Sequence, residues 1–442
     1  MSIAADAAGL DSGLERRLRS GRLAWAAFDC GQHAYWLLVA TFIFTPYFTT
    51  GVIGAAAKGQ ALMGYAGAIA GLAIAVGSPI AGALTDAYGA RRWLVLLSIP
   101  FVIACAALWF AAPGRPDLAL PIVTALVVAN ISTEIATAVA NALLPALAKP
   151  GQVGRLSAFG WAMGYFGGLA SLILVLACFV LPSTPLFGLD KAMHEPERLT
   201  GPISAAWYLV FGLPLLVLAP SKPVARAAGT PPPLTDLVAV LKSLPKRPIV
   251  LRFLIGRMLV GDGIAAIVAF AGILAAGLFH WDLQERLLYG MLLAGGSGVG
   301  ALLAGRIDDR IGSKPTTLVS AGVLTLGMFG MLVIGPAPAG TPAGLFVSVN
   351  EKAYLVASLV LSMAFGPVQS SLRSWMAKLT PPEEAGRLFG LFTLSGKASA
   401  FAAPLVIAIV TSMTGQQKVA IVVAAAFVAA GCAVLASVRS GR

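Results

Sequence analysis

Charge is what this chain has least of. Only 11% of its 442 residues are Asp, Glu, Lys or Arg, while 58% are hydrophobic. A soluble domain carries about 25% charged residues, so the composition excludes a water-soluble globular protein. Histidine is nearly absent as well: His33, His194 and His280 are the only three. They are scattered, with no metal-ligand spacing, and no P-loop or Gly-x-Ser-x-Gly turn occurs. The expectation is no metal, no cofactor and no enzyme. Without an ATP site, any transport must run on a gradient or downhill. The four cysteines (Cys30, Cys105, Cys178, Cys432) all lie in apolar runs. They read as small hydrophobes rather than a disulfide or metal set.

What the chain does have is long apolar runs. A bilayer span needs about 20 such residues. Twelve predicted spans cover roughly 24–48, 61–84, 93–112, 118–147, 155–181, 202–220, 249–278, 287–305, 316–336, 353–378, 386–412 and 418–438. Barrel strands alternate over about 10 residues; these runs do not, so an all-α membrane protein is expected. Residues 1–23 are polar, with Asp6, Asp11, Glu15, Arg16, Arg17, Arg19 and Arg22. They read as a cytosolic tail, not a signal peptide.

The net charge of +12 suggests nucleic acid until its distribution is read. Of the 31 Lys and Arg, 21 fall on tails and loops of one face and 7 on the other. That is the positive-inside asymmetry of a membrane protein. It places both termini in the cytoplasm, and the Ala- and Arg-rich composition suggests a bacterial inner membrane. The expected partners are the lipid bilayer and a small-molecule solute, with no nucleic acid, and the chain is expected to be a monomer.

Two stretches are near copies. Gly82-Ala83-Leu84-Thr85-Asp86 through Gly89, Arg91 and Arg92 returns as Gly305-Arg306-Ile307-Asp308-Asp309 through Gly312 and Lys314. Asp86 and Asp309 are 223 positions apart, Asp29 and Asp262 233 apart, and Gly154-Arg155-Leu156 and Gly386-Arg387-Leu388 232 apart. Nearly one offset at half the chain length marks two parallel six-helix halves. The expected organisation is 24–220 and 249–438, a Pro-rich linker over 221–248, and a short tail at 439–442. Within the linker, Thr235 to Leu244 reads as an amphipathic helix capped by Thr235 or Asp236. Each motif Asp ends a span, where it can cap a neighbouring helix or pair with Arg91 and Arg92, or with Arg310 and Lys314.

Glycine recurs at four-residue spacing in Gly160, Gly164 and Gly168, the pattern of close helix packing. The ionisable groups well inside the predicted spans are Asp29, His33, Glu134, Arg257, Asp262, Arg373 and Lys397. A charge at the bilayer centre costs about 2.5–3.5 kcal/mol on insertion scales, so each needs a partner or a wet cavity. Helical spacing groups Asp29, Gln32, His33 and Trp36 on one face, and Asn130, Glu134, Thr137 and Asn141 on another. Gln369 and Arg373 lie on a third. These polar stripes are candidates for a solute path. Asp29, Arg257 and Arg373 also lie near enough to span ends to snorkel. Asp262 and Lys397 are expected to neutralise each other, and Glu134 or Asp29, with His33 nearby, to carry a coupling proton. Sodium is the rival ion.

The motif loops, in both places, resemble the signature loop of the major facilitator superfamily, which implies a latch between halves. Within it, Ala27-Phe28-Asp29 through Phe42-Ile43-Phe44-Thr45-Pro46, Asn141-Ala142-Leu143-Leu144-Pro145, Gly160-Trp161, Arg257 with Asp262-Gly263, Gly366-Pro367 through Arg373, and Ser395-Gly396-Lys397 resemble the autophagy-related vacuole-effluxer family. The chain departs from that pattern at Cys30-Gly31-Gln32-His33, where the family usually has Trp-Ala-Asn-Ser. The resemblance implies a twelve-helix secondary transporter for a small polar solute, amino-acid-like or another metabolite. A lipid flippase or scramblase on the same scaffold, or a membrane-embedded enzyme, is the alternative.

Overall fold

The computed structural model describes residues 2–220, 232–281, 283–338, 344–399, 402–416 and 418–439. Every regular element among them is helical. In hydrocarbon each backbone N–H and C=O needs an internal partner, and a helix supplies one within its own segment. The N-terminal half holds α1 (Ser2–Ala34), α2 (Ala56–Tyr88), α3 (Ala90–Ala107), α4 (Ala119–Asn141), α5 (Val153–Val175) and α6 (Glu195–Leu218). After α7 (Pro233–Ser243) come α8 (Pro248–Phe279), α9 (Leu283–Ile311), α10 (Ser313–Val333) and α11 (Val349–Leu379). Then follow α12 (Ala385–Ser395), α13 (Ala402–Thr414) and α14 (Val419–Ala436). Among the described residues, eleven helices are long and apolar enough to cross a membrane. Together α12 and α13 cover the eleventh predicted span, 386–412.

That span is a correction: it is not one continuous helix. Gly396 and Lys397 donate to Thr393 and Leu394 carbonyls at 3.1 and 3.0 Å, tightening the end of α12. The Ser395 hydroxyl bonds back to the Phe392 carbonyl at 2.8 Å, a competitor of the helical ladder. The first span also differs, because α1 extends back through the polar tail. Beyond Ala34 it passes into a π-helical stretch, Tyr35–Phe42, and bends at Ile43 (φ −119°, ψ −64°). Pro46 explains the bend: its ring excludes the i−4 hydrogen bond to Phe42.

Packing repeats between the halves. α1 lies on α6 as α8 lies on α14, and α4 packs α2 and α3 as α11 packs α9 and α10. The halves meet along α2 with α12 and along α5 with α9. The second glycine of each motif turns the chain between helices, Gly89 at φ 89° and Gly312 at φ 96°, where a side chain is strained. We call this end of the bundle the motif face.

The linker helix forms, but neither Thr235 nor Asp236 caps it. Pro232 precedes it and Pro233 opens it, a position where the missing N–H costs nothing. Its Leu237 and Val240 are buried, and it packs on α2. Asp236 pairs instead with Arg387. After α7, Arg247 forks onto Glu384 at 2.5 and 3.1 Å. The Arg247 hydrogen bond holds the Glu384 carboxyl below the usual carboxylate range. A depressed carboxylate stabilises above its unfolded pKa and loses that contribution as pH falls through the folded value. Acidification below about pH 4 should therefore loosen the linker, and Arg247→Gln should abolish this acid sensitivity. Hydrogen exchange of residues 233–247 against pH reads both.

Candidate functional site

Arg373 comes from α11 in the C-terminal half, yet its side-chain partners lie in the N-terminal half. It donates to Asp29 Oδ2 at 2.8 Å and to Asn141 Oδ1 at 3.1 Å. It also donates to the Ser157 carbonyl at 2.6 Å and to Ser157 Oγ at 3.1 Å. The guanidinium sits 4.6 Å from the Trp25 ring and 5.4 Å from Trp161. Arg373 is 2% exposed and Asp29 7%. A buried charge tolerates this only when its donors are filled, as they are here. Neither residue snorkels. The expectation that either one reaches the interface is corrected, because the pair neutralises itself inside.

Lys397 repeats the pattern from the break after α12. Its Nζ donates to Glu134 Oε1 on α4 at 2.7 Å and lies 5.9 Å from the Trp36 ring. The expected Asp262–Lys397 pair is therefore absent. With the helix broken at Gly396, Lys397 faces across the interface rather than toward α8. Arg257 does not snorkel either. It lies 4.0 Å over the Phe392 ring, with Nη1 3.3 Å from Ser395 Oγ. A Cβ at Gly396 would sit 2.0 Å from that nitrogen. Asp262, 2% exposed, makes no hydrogen bond or ion pair among the described residues, and its Oδ2 is fully enclosed. Ser399 lies beside it without closing a hydrogen bond.

The remaining polar residues line the same interior. Gln32 Oε1 accepts from Thr137, and Gln32 Nε2 and Asn130 Oδ1 are buried without partners. His33 Nδ1 is 2.7 Å from the Asp29 carbonyl. A carbonyl only accepts, so Nδ1 carries the hydrogen and Nε2 is the free ring atom. That ring packs against Trp161 at 5.9 Å and Tyr165 at 5.7 Å. The α5 glycines make the room. A Cβ at Gly160 would come within 2.6 Å of Asp29 Oδ2, and one at Gly164 within 2.4 Å of the His33 ring. Gln369 is half-buried on α11 and joins none of these groups.

At the motif face the two repeated sets interlock crosswise. Asp86 accepts from the Gly386 and Arg387 amides at 2.6 and 3.0 Å and from Arg387 Nε at 3.1 Å. Asp309 accepts from the Gly154 and Arg155 amides at 2.8 and 3.3 Å, with Arg155 Nε at 3.2 Å. Each motif carboxylate thus caps the helix opening with Gly-Arg-Leu in the other half. Of the two alternatives read from the sequence, capping a neighbouring helix is the one found, and among the described residues neither Asp pairs with Arg91, Arg92, Arg310 or Lys314. Lys314 instead donates to the Ala436 and Val438 carbonyls. The first motif glycines sit at the crossings. A Cβ on Gly82 would lie 2.0 Å from the Gly386 carbonyl oxygen, and one on Gly305 2.7 Å from Ala158 Cβ.

A model of the family described as "Vacuole effluxer Atg22 like" matches residues 49–442. The chain belongs to that family. An uncharacterized MFS-type transporter of Bacillus subtilis, YxiO, is 22% identical to this Atg22-like chain over 413 residues, 92% of each protein. Autophagy-related protein 22 of Cryptococcus neoformans is 26% identical over 283 residues, 59% of this chain and 46% of the fungal protein. The proton:xylose symporter XylE superposes with a TM-score of 0.73 at 14% identity, over 96% of both chains. The transporter FucP in its outward conformation gives 0.70 at 14% identity, over 96% of this chain and 99% of its own. The Atg22-like chain therefore has the major facilitator fold, two six-helix halves related by a pseudo-two-fold axis.

Sequence reasoning missed several neighbours of the site in this Atg22-like protein. Trp25, Ser157, Trp161, Tyr165 and Phe392 all touch its charged groups. Aromatic residues in an apolar helix carry no mark of which face they take. Gly160 was the available signal, since a residue without a side chain opposite Asp29 leaves space for a second group.

Proposed function

We propose that this major facilitator protein is a secondary transporter that carries a small solute bearing both a cationic and an anionic group, amino-acid-like in size, driven by protons. The observation that carries the reading is the cross-half pairing of Arg373 with Asp29 and of Lys397 with Glu134. Both bases belong to one half and both acids to the other. A solute with an ammonium and a carboxylate replaces such pairs group for group as the halves part, so the desolvation of each charge stays covered. The buried unpaired atoms of Gln32 and Asn130 supply further polar contacts. The charge asymmetry of the loops supports a cytoplasmic motif face, and on that reading the interlocked motifs close the path on the cytoplasmic side.

Asp29 and Glu134 are occupied by bases in this state. Asp262 is the interior acid without a hydrogen-bond or ion-pair partner among the described residues, and a proton would neutralise it. A metal ion fits less well: the side-chain neighbours of Asp262 are the Ser399 hydroxyl and the Arg257 guanidinium, which already places a cation nearby. We assign the coupling proton to Asp262. The test is uptake of a radiolabelled amino-acid mixture into proteoliposomes under an imposed pH gradient without sodium. Wild-type protein should accumulate label. Asp262→Asn should still exchange label between the two sides but lose gradient-driven accumulation by about tenfold or more. Absence of any exchange by wild-type protein defeats the solute reading, and lipid flipping in the same vesicles supports a scramblase. Full accumulation by Asp262→Asn removes the proton assignment.

The latches set the balance between open and closed states. A charge-assisted hydrogen bond contributes about 1.5–3 kcal/mol, so Asp86→Asn should slow transport by about tenfold or more. Asp309→Asn should cost less. Its partner Arg155 is half exposed, whereas Arg387 is buried and also held by Asp236. Equal rates in both variants and wild type, at matched expression, exclude a gating role.

A further inference from the structure

A second basic site lies away from the solute path, at the motif face between α1 and α5. It is a cavity of about 280 Å³ lined by Arg19, Arg22, Lys149 and Arg155, with Leu23 and Phe159 among its apolar walls. Its cations outnumber its acids. Glu15 reaches Arg22 at 3.8 Å and Lys149 at 3.4 Å, and Asp309 reaches Arg155 at 3.2 Å. Arg19 makes no ion pair among the described residues. Arg22 is held in place by a 2.7 Å bond from its Nε to the Leu147 carbonyl.

The vertical order of the side chains says what fits. Arg19 and Leu23 are one turn apart on α1, and Arg155 and Phe159 are one turn apart on α5, so each pair shares a face. Leu23 is 55% exposed and Phe159 36%. Each helix thus presents a base one turn below an uncovered apolar side chain, at the level where it passes from polar to apolar sequence. A soluble anion uses the bases and leaves Leu23 and Phe159 bare. A phospholipid uses both, its phosphate forked by guanidinium groups and its acyl chain along the two apolar residues.

We propose that this cavity binds the phosphate of an anionic phospholipid from the leaflet at the motif face. The site shares Arg155 with the Asp309 latch, so the headgroup competes with Asp309 for that guanidinium. The two backbone amide bonds to Asp309 remain. Bound lipid therefore weakens one latch and leaves the Asp86 latch intact.

The experiment reconstitutes the full chain in nanodiscs of phosphatidylcholine containing phosphatidylglycerol and identifies retained lipid by native mass spectrometry. The comparison is Arg19→Gln/Lys149→Gln, two positions outside the latches and the solute path. Wild-type protein should retain phosphatidylglycerol in preference to phosphatidylcholine, and the double variant should lose that preference by about fivefold or more. The charge-preserving Arg19→Lys/Lys149→Arg should keep it. Equal retention by the charge-neutral variant overturns the site. Displacement of the lipid by millimolar inorganic phosphate overturns the lipid assignment in favour of a soluble anion. Because no transport is measured, failure of the solute reading leaves this result intact.

Discussion

Arg373→Met will destabilise the folded protein by about 3–5 kcal/mol, the cost of leaving a buried acid without its base. Asp29 is 7% exposed and has no other base within ion-pair distance among the described residues. The Asn141 and Ser157 oxygens lose their donor as well. Asp29→Asn in the same background should recover much of the loss, because a neutral amide needs no counter-charge. The measurement is thermal unfolding in detergent of both singles and the double. A double variant no better than the worse single means that the ion pair is not what holds these residues. Lys397→Met should cost less, since its side chain is 28% and that of Glu134 19% exposed, and water screens the pair.

Gly82→Val should abolish transport while leaving the N-terminal half folded. The added carbon would lie 2.0 Å from the Gly386 carbonyl oxygen, a backbone atom that cannot rotate away. α2 and α12 must then separate, and Asp86 loses reach of the Gly386 and Arg387 amides. Hydrogen exchange should rise at residues 385–390, and uptake should fall about a hundredfold. Gly64→Val and Gly67→Val on the same helix are the controls, because an added carbon there meets nothing within 4 Å. Equal loss in all three would point to helix propensity rather than the crossing.

Most of the architecture was legible because each span announces itself by an uninterrupted apolar run. The repeats were legible as repeats; their crosswise partnership was not. Asp86 meets Gly386-Arg387, and Asp309 meets Gly154-Arg155, across 300 and 155 positions. Only the folded chain brings them together. The break after α12 was hidden because Gly396-Lys397-Ala398-Ser399 holds no proline and lies inside an apolar run. The break also rotates Lys397, so helical spacing could not tell Glu134 from Asp262 as its partner. Helical spacing put Asp29, Gln32 and His33 on one face of α1 because that helix is regular up to Ala34, whereas Trp36 lies in the π-helical stretch beyond it. His33 and Asp29 fall on one face by spacing, but the ring's bond to the Asp29 carbonyl is a detail of local geometry.

The balance of buried charge has an electrical consequence. Asp29, Glu134 and Asp262 offset Arg257, Arg373 and Lys397, so with every acid ionised these six interior groups sum to no net charge. A proton on Asp262 leaves one positive charge in excess, and each charge crossing the full field gains or loses about 2.3 kcal/mol per 100 mV. Under the proton assignment proposed above, these groups would present a net charge to the potential only when Asp262 is protonated.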